Sequence, residues 1–484
     1  MSHRTVLQAL SGLLLSLFIA TLSSTVVATA LPKMLRELHG SQAQYTWVVT
    51  ATLLTATAST PIWGKLADLF SKKVLVQSAI VVFVAGSIAA GLSQDAGQLI
   101  AARALQGIGV GGLQALVQIA IAAMISPRER GRYSGYLSSV TALSTIGGPL
   151  LGGVIVDTSW LGWRWCFFIG VPIAAVALVL LQKTLHLPVV HRDGVRIDYP
   201  GATLITAGVS ILLIWISFVD DTFAWISWQS GAMAGGALLL LGAAVWWESR
   251  AAEPVVPLGI VRQRTTALAI LGSLAAGTAM YGAAVFLSQY FQVSRGHSPT
   301  EAGLLTIPMM AGILVASIVA GRLISRTGRL KPFVVTGAVL LTVGFAVLGF
   351  TDHRTSLILM GVAMLSVGAG VGMTMQNFVL AVQNAVPLKD IGAASSTVAF
   401  FRSLGGTIGV TVLGAVLARQ VGAQLRNGVS PQVAYGAATG HIFWISAAVA
   451  LLGVVAAVLL KGVPLRTSLD LPDAAKATAD AARR

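Results

Sequence analysis

Apolar stretches long enough to cross a lipid bilayer recur along the whole chain, separated by short polar connections. A helix needs about 20 residues for one crossing. The pattern predicts spans over 6–31, 44–66, 74–92, 98–124, 133–157 and 165–185, then 199–219 and 225–248. Six more follow over 267–291, 300–324, 332–351, 356–381, 394–418 and 434–460. A loop with Asp220 and Asp221 separates the pair at 199–248. The expected fold is an all-α membrane protein with about fourteen transmembrane helices and both termini on one side.

Composition agrees. Of the residues, 55% are hydrophobic and only 10% charged, with a mean hydropathy of +0.82. A soluble domain carries about 25% charged residues, so this surface faces lipid. Fifty-two glycines suit close helix packing where lipid removes the hydrophobic drive. The basic residues then orient the chain. Twenty-three of the 32 Lys and Arg fall on the side of the termini, seven on the other, and Arg103 and Arg402 lie inside spans. The positive-inside rule puts both termini in the cytoplasm. The net charge of +15 is thereby a matter of topology and of the anionic inner leaflet, not of nucleic acid. The first apolar run is too long for a signal peptide and reads as a retained helix.

Several chemistries drop out. Cys166 is the lone cysteine, so no disulfide framework or cysteine metal site is possible. No H-E-x-x-H or G-x-x-x-x-G-K-[ST] occurs, which argues against a metal site, an ATP-driven pump or a membrane enzyme. No cofactor is expected.

The chain repeats itself. Gly64-Lys65-Leu66-Ala67-Asp68 with Lys72 and Lys73 follows the second span, and Gly321-Arg322-Leu323-Ile324-Ser325-Arg326 with Gly328 and Arg329 follows the tenth. Glycine-rich runs, Gly147-Gly148-Pro149-Leu150-Leu151-Gly152-Gly153 and Ser403-Leu404-Gly405-Gly406, sit at the fifth position of each six-helix set. This predicts an N-terminal half over 1–185, a two-helix insert with linkers over 186–264, a C-terminal half over 265–461, and a disordered cytoplasmic tail over 462–484.

These residues carry a family resemblance. The Gly64–Lys73 loop resembles the major facilitator motif between helices two and three, with Ser71 where glycine is usual. Arg103-Ala104-Leu105-Gln106-Gly107-Ile108-Gly109 resembles the fourth-helix motif, and the Gly147–Gly153 run the fifth-helix motif of antiporters. Trp163–Pro172 is similar to the opening of helix six in the fourteen-helix EmrB/QacA-type drug:proton antiporters. The resemblance implies two pseudo-symmetric six-helix halves plus a two-helix insert, in a bacterial plasma membrane. It also implies export of hydrophobic small molecules such as drugs by alternating access, with protons as coupling partner and a monomer as the working unit.

Site residues follow from that frame. Asp68, Lys72 and Lys73 would form a state-dependent latch, with Glu129 as partner for a lysine and Arg402 for Asp68; a solvated topogenic loop is the bland alternative. Burying Arg103 alone costs at least ~2.5–3.5 kcal/mol. Gln114 and Gln118 fall about 20° and 60° around the helix from it, so the three are expected to face the substrate cavity, unless Arg103 snorkels. Gly148, Pro149, Gly152 and Gly153 let two helices touch or slide. The resemblance adds the ninth and twelfth spans to the lining: Tyr281, Gln289 and Tyr290, then Met373, Met375, Gln376, Asn377 and Gln383. Interhelical packing is the plain alternative for each.

One departure matters. Family members carry an aspartate in helix one where this chain has Ser23, in Leu22-Ser23-Ser24-Thr25-Val26-Val27. Serine carries no proton at accessible pH, and none of the 17 acids falls at the middle of a predicted span. Asp157 and Glu301 are left as proton-coupling candidates near the outer ends, with Glu248 at an inner end. Transport without a dedicated carboxylate, of a specific metabolite or lipid-like molecule, is the competing expectation.

Overall fold

A computed structural model describes residues 3–39, 42–158, 160–185, 198–219, 222–251, 254–297, 299–387 and 390–466. Six long helices build the first half: α1 (His3–Glu37), α2 (Gln42–Leu69), α3 (Lys72–Gly91), α4 (Ala96–Met124), α5 (Pro127–Asp157) and α6 (Gly170–Thr184). A short helix, Trp165–Phe168, leads into α6. The insert is α7 (Tyr199–Phe218) and α8 (Trp228–Glu248). The second half holds α9 (Arg264–Gln289), α10 (Ile307–Thr327), α11 (Lys331–Leu348), α12 (Leu357–Ala385), α13 (Ile391–Arg426) and α14 (Pro431–Leu459). A π-helical turn, Tyr290–Ser294, extends α9, and the short helix Pro299–Leu305 precedes α10.

Local chemistry sets the helix ends. Asp95, Asp198, Ser227 and Ser356 accept first-turn N–H groups of α4, α7, α8 and α12, filling valences a helix start leaves open. Gly328 ends α10 at φ 68°, a left-handed conformation that glycine adopts without strain. Side chains such as Val81, Leu143, Val154, Leu239, Val362 and Leu451 are exposed on the outer surface. In water such a surface would aggregate; in lipid it is the solvent-facing side.

The halves are built alike. In the first, α1 packs on α5 and α6, while α2 and α3 pack on α4; in the second, α9 packs on α13 and α14, while α10 and α11 pack on α12. The halves then exchange partners: α2 lies against α13, and α5 against α10. The second helix of each half thus meets the fifth of the other, as an approximate twofold axis requires. The insert covers one of these seams. Ile205, Val209 and Leu213 of α7 and Ala244 of α8 bury against Phe400 and Leu404 of α13 and Leu54 of α2.

Among the described residues, twelve helices are long and apolar enough to cross a membrane. The expectation of fourteen is corrected to that extent. The two long helices that fall short are α2 and α5. The first is studded with Thr50, Thr52, Thr55, Thr57, Ser59 and Thr60; the second opens with Pro127-Arg128-Glu129-Arg130-Gly131-Arg132. Both lie against the opposite half, and the hydroxyls of Thr52, Thr55 and Ser59 on α2 donate to carbonyls of α4 within their own half. The linker over 186–197, the loop residues Asp220 and Asp221, and the tail beyond residue 466 lie outside the described residues.

Gating contacts and a methionine-lined cavity

The end of the bundle where α1 starts and α14 finishes, the terminal end, is held shut by two polar clasps. The Asp68 carboxylate accepts the backbone N–H groups of Gly392 and Ala393, both at 2.8 Å. These are first-turn amides of α13, which have no acceptor within their own helix, and the positive end of the helix dipole favours the carboxylate. Gly64 makes the approach possible: a Cβ there would overlap Ser396 and lie 2.9 Å from the Gly392 carbonyl oxygen. A Cβ on Gly392 would lie 2.5 Å from the Gly64 carbonyl oxygen. The glycine and the aspartate of the loop motif therefore dock one half on the other.

The second clasp joins α5 to α12. Arg130 is 5% exposed. It donates to the carbonyls of Ile125 and Ala122 and, through Nη1, to Gln383 Oε1 at 2.9 Å. Gln383 in turn donates to Ser395 Oγ of α13 at 3.0 Å.

The expected partners of the loop are corrected here. Asp68 does not pair with Arg402; it caps α13. No ion pair joins Glu129 to Lys72 or Lys73. Glu129 is exposed, and Lys73 donates to the Gln182 carbonyl at 2.8 Å, tying the loop to α6 instead. Lys72 acts on Asp68 through its charge.

Above the clasps two adjoining cavities lie between the halves and meet at Gln376. The larger, about 540 Å³ when the space open to solvent is included, is lined by Thr141 of α5, Met280 and Ala284 of α9, Met309, Met310 and Ile313 of α10, and Val371, Gly372, Met375 and Gln376 of α12. The smaller, about 330 Å³, lies towards the terminal end among Gln118, Ile121, Arg130, Leu137, Gln376, Val379, Leu380 and Gln383. Of the residues singled out from sequence, Gln118, Met375, Gln376 and Gln383 line these cavities. Arg103, Gln114, Ser23, Tyr281, Gln289 and Asn377 do not. Asn377 turns back to donate to its own helix at Met373, and the Tyr281 ring lies against Gly406. The methionines of α9 and α10 and the role of Arg130 were not legible in sequence: their partners come from other helices.

Arg103 neither snorkels nor faces these cavities. It is 2% exposed, inside the first half. Its Nε donates to the Val48 carbonyl at 3.3 Å and its Nη1 to Gln106 Oε1 at 2.5 Å. Gln106 Nε2 donates to Ser23 Oγ at 2.9 Å and Ser87 Oγ at 2.8 Å. Ser23 thus stands at the end of a relay that reaches the arginine and joins α1, α3 and α4. Arg402 is also buried, and its Nη1 has no hydrogen-bond partner among the described residues.

In the fifth-helix motif, Gly148 is the contact point. A Cβ there would lie 2.5 Å from Thr25 Cβ on α1, whereas one on Gly147 would meet nothing nearer than 3.9 Å. Thr25 Oγ1 donates to the Ser144 carbonyl at 3.1 Å across the same seam. The side chains at Pro149 and Asp157 and the surroundings of Gly153 lie outside the described residues. Glu301 is exposed, with His297 Nδ1 3.4 Å away.

Two matched helical halves that exchange partners around a cavity closed at one end form the architecture of a membrane transporter. Residues 13–410 match the family model of the Major Facilitator Superfamily, and the chain belongs to that family. An MFS-type transporter of Mycobacterium tuberculosis is 35% identical over 480 residues, covering 94% of this chain and 69% of the relative. The multidrug transporter protein MdtP of Bacillus subtilis is 33% identical over 430 residues, covering 89% and 78%. The efflux pump FUS6 of Gibberella moniliformis is 29% identical, covering 84% and 73%. Among solved structures, the human organic anion transporter MFSD10 superposes with a TM-score of 0.65 at 14% identity, covering 94% of this chain and 99% of that one. The proton:xylose symporter XylE gives 0.64 at 15%, covering 95% of both chains. At these identities the superpositions speak to fold alone.

Proposed function

We propose that this protein is a secondary active exporter of hydrophobic small molecules, of the EmrB/QacA type, working by alternating access in a bacterial inner membrane. The carrying observation is the cavity between the halves, lined by four methionines and closed at the terminal end by the Asp68 and Arg130 clasps. Unbranched, polarizable methionine adapts to apolar ligands of differing shape. The names of the multidrug and efflux relatives agree with this reading. The terminal end is cytoplasmic by the positive-inside rule, so the conformation is the one shut towards the cytoplasm. The monomer is the working unit, because the cavity and both clasps are built within one chain.

Proton antiport is the coupling we favour, with Asp157 and Glu301 as carriers. The competing reading is a facilitator or a dedicated exporter without proton coupling. Ser23 favours it, together with the placement of every described acid at a helix end or in a connection.

Everted vesicles supplied from outside with a neutral fluorescent amphiphile, N-phenyl-1-naphthylamine, separate the two when the pH gradient and the membrane potential are collapsed one at a time. Loss of uptake with the pH gradient supports antiport, and Asp157→Asn and Glu301→Gln then identify the carrier. Uptake that ignores both gradients removes antiport and leaves the facilitator.

A further inference from the structure

The smaller cavity differs in kind from the methionine-lined one. Gln118 is 8% exposed, and its Oε1 is buried without a hydrogen-bond partner. A buried, unpaired amide is a lasting cost unless something fills its valence. A side-chain amide can turn either its oxygen or its nitrogen to a ligand. Beside it stand Gln376, shared with the apolar cavity, and Arg130, the one charged side chain among the described residues lining either space. Three guanidinium N–H groups of Arg130 are engaged by protein acceptors, so the residue is fixed in place and its charge is not neutralised by a carboxylate.

The wider field has the same sign. Among the described residues, Arg103 and Arg402 are the other buried cations inside the halves, whereas the acids sit at helix ends or in connections. In a low-dielectric interior these fixed charges act over longer range than in water. A cationic ligand would find repulsion and no counter-charge. A neutral or anionic head would find hydrogen-bonding amides and a positive charge.

We propose that the transported molecule is an amphiphile whose apolar body lies among Met280, Met309, Met310 and Met375, and whose neutral or anionic hydrogen-bonding head is received by Gln118, Gln376 and Arg130. The assignment rests on the exporter reading for its use in transport, but the binding it describes does not depend on transport. It sorts substrates by head group. Organic cations, the usual probes of drug pumps, are the disfavoured class.

Four radiolabelled naphthalenes test it: 2-naphthylmethanol, 2-naphthoate, 2-naphthylmethylammonium and 2-ethylnaphthalene. Equilibrium binding is measured on the purified full chain, and uptake on the same chain in proteoliposomes. The alcohol and the carboxylate are expected to bind at least about tenfold tighter than the ammonium, the effect of roughly one charge-assisted hydrogen bond. Gln118→Leu is expected to shrink the alcohol's advantage over the hydrocarbon by about fivefold or more. Arg130→Gln is expected to narrow the gap between carboxylate and ammonium. Ammonium binding as tight as the carboxylate, an alcohol-to-hydrocarbon ratio indifferent to Gln118→Leu, or no binding of any of the four overturns the head-group site. The expected binding order without uptake of any compound overturns the exporter and leaves the site standing. Uptake with the ammonium preferred does the reverse.

Discussion

Adding one methyl group at Gly64 should open the terminal end of this protein. In Gly64→Ala the new Cβ would overlap the Ser396 side chain and lie 2.9 Å from the Gly392 carbonyl oxygen. Rotation could move the serine hydroxyl, but not its Cβ or the backbone carbonyl. Carbon contacts relax at about 3.5–4.0 Å, so α2 and α13 must part by roughly 0.5–1 Å. The two Asp68 hydrogen bonds, now 2.8 Å, would stretch past useful length. Hydrogen bonds to a charged group are worth about 1.5–3 kcal/mol each. Losing the pair removes about 3–6 kcal/mol from the closed state, a shift of about two to four decades in the closed-to-open ratio. Hydrogen–deuterium exchange reads this directly, because the amides of Gly392 and Ala393 lie in the first turn of α13 and depend on Asp68 for protection. A peptide covering residues 391–397 should exchange faster in Gly64→Ala and Asp68→Ala, and less so in Asp68→Asn, which keeps one acceptor. Gly231→Ala, where a Cβ meets open space, is the control. Unchanged exchange in Gly64→Ala would refute the clasp.

Three further outcomes are expected. Gln106→Leu leaves a buried Arg103 N–H without its acceptor and removes the donor to Ser23 and Ser87, so thermal stability should fall by about 1–3 kcal/mol; a melting temperature equal to the parent's would show that the relay contributes nothing. Gly148→Ala should cut transport at least about tenfold by wedging α1 from α5 while Gly147→Ala stays near the parent rate, since a neighbour lies 2.5 Å away at the first and 3.9 Å at the second; equal effects would remove the special role of Gly148. In the insert, Glu248 Oε1 and Asp198 Oδ2 are both buried without partners and both face Gly201, so Glu248→Gln, whose amide can donate to Asp198, should stabilise by about 1 kcal/mol; a lower melting temperature would contradict that.

The sequence by itself determined the solvent of this protein, its helices and its twofold plan. Those features are written in local pattern: runs of about 20 apolar residues, basic residues gathered in alternate connections, and matched loops after the second helix of each half. Caps such as Asp95 and Ser356 sit one residue before the helices they start. The loop motif was legible as a candidate contact, but its partner was not. Asp68 and Gly392 are 324 residues apart, and what the carboxylate needs there is a backbone amide, which leaves no trace in residue type. Arg103 illustrates the same limit. Helical spacing set it on one face with Gln114 and Gln118, yet a nearer acceptor three residues along, Gln106, turned it inward to Ser23. The weak apolarity of α2 had its reason only in three dimensions, where Thr52, Thr55 and Ser59 donate to carbonyls of α4. Periodicity tells which residues share a face of one helix; what that face meets is decided by how the helices pack.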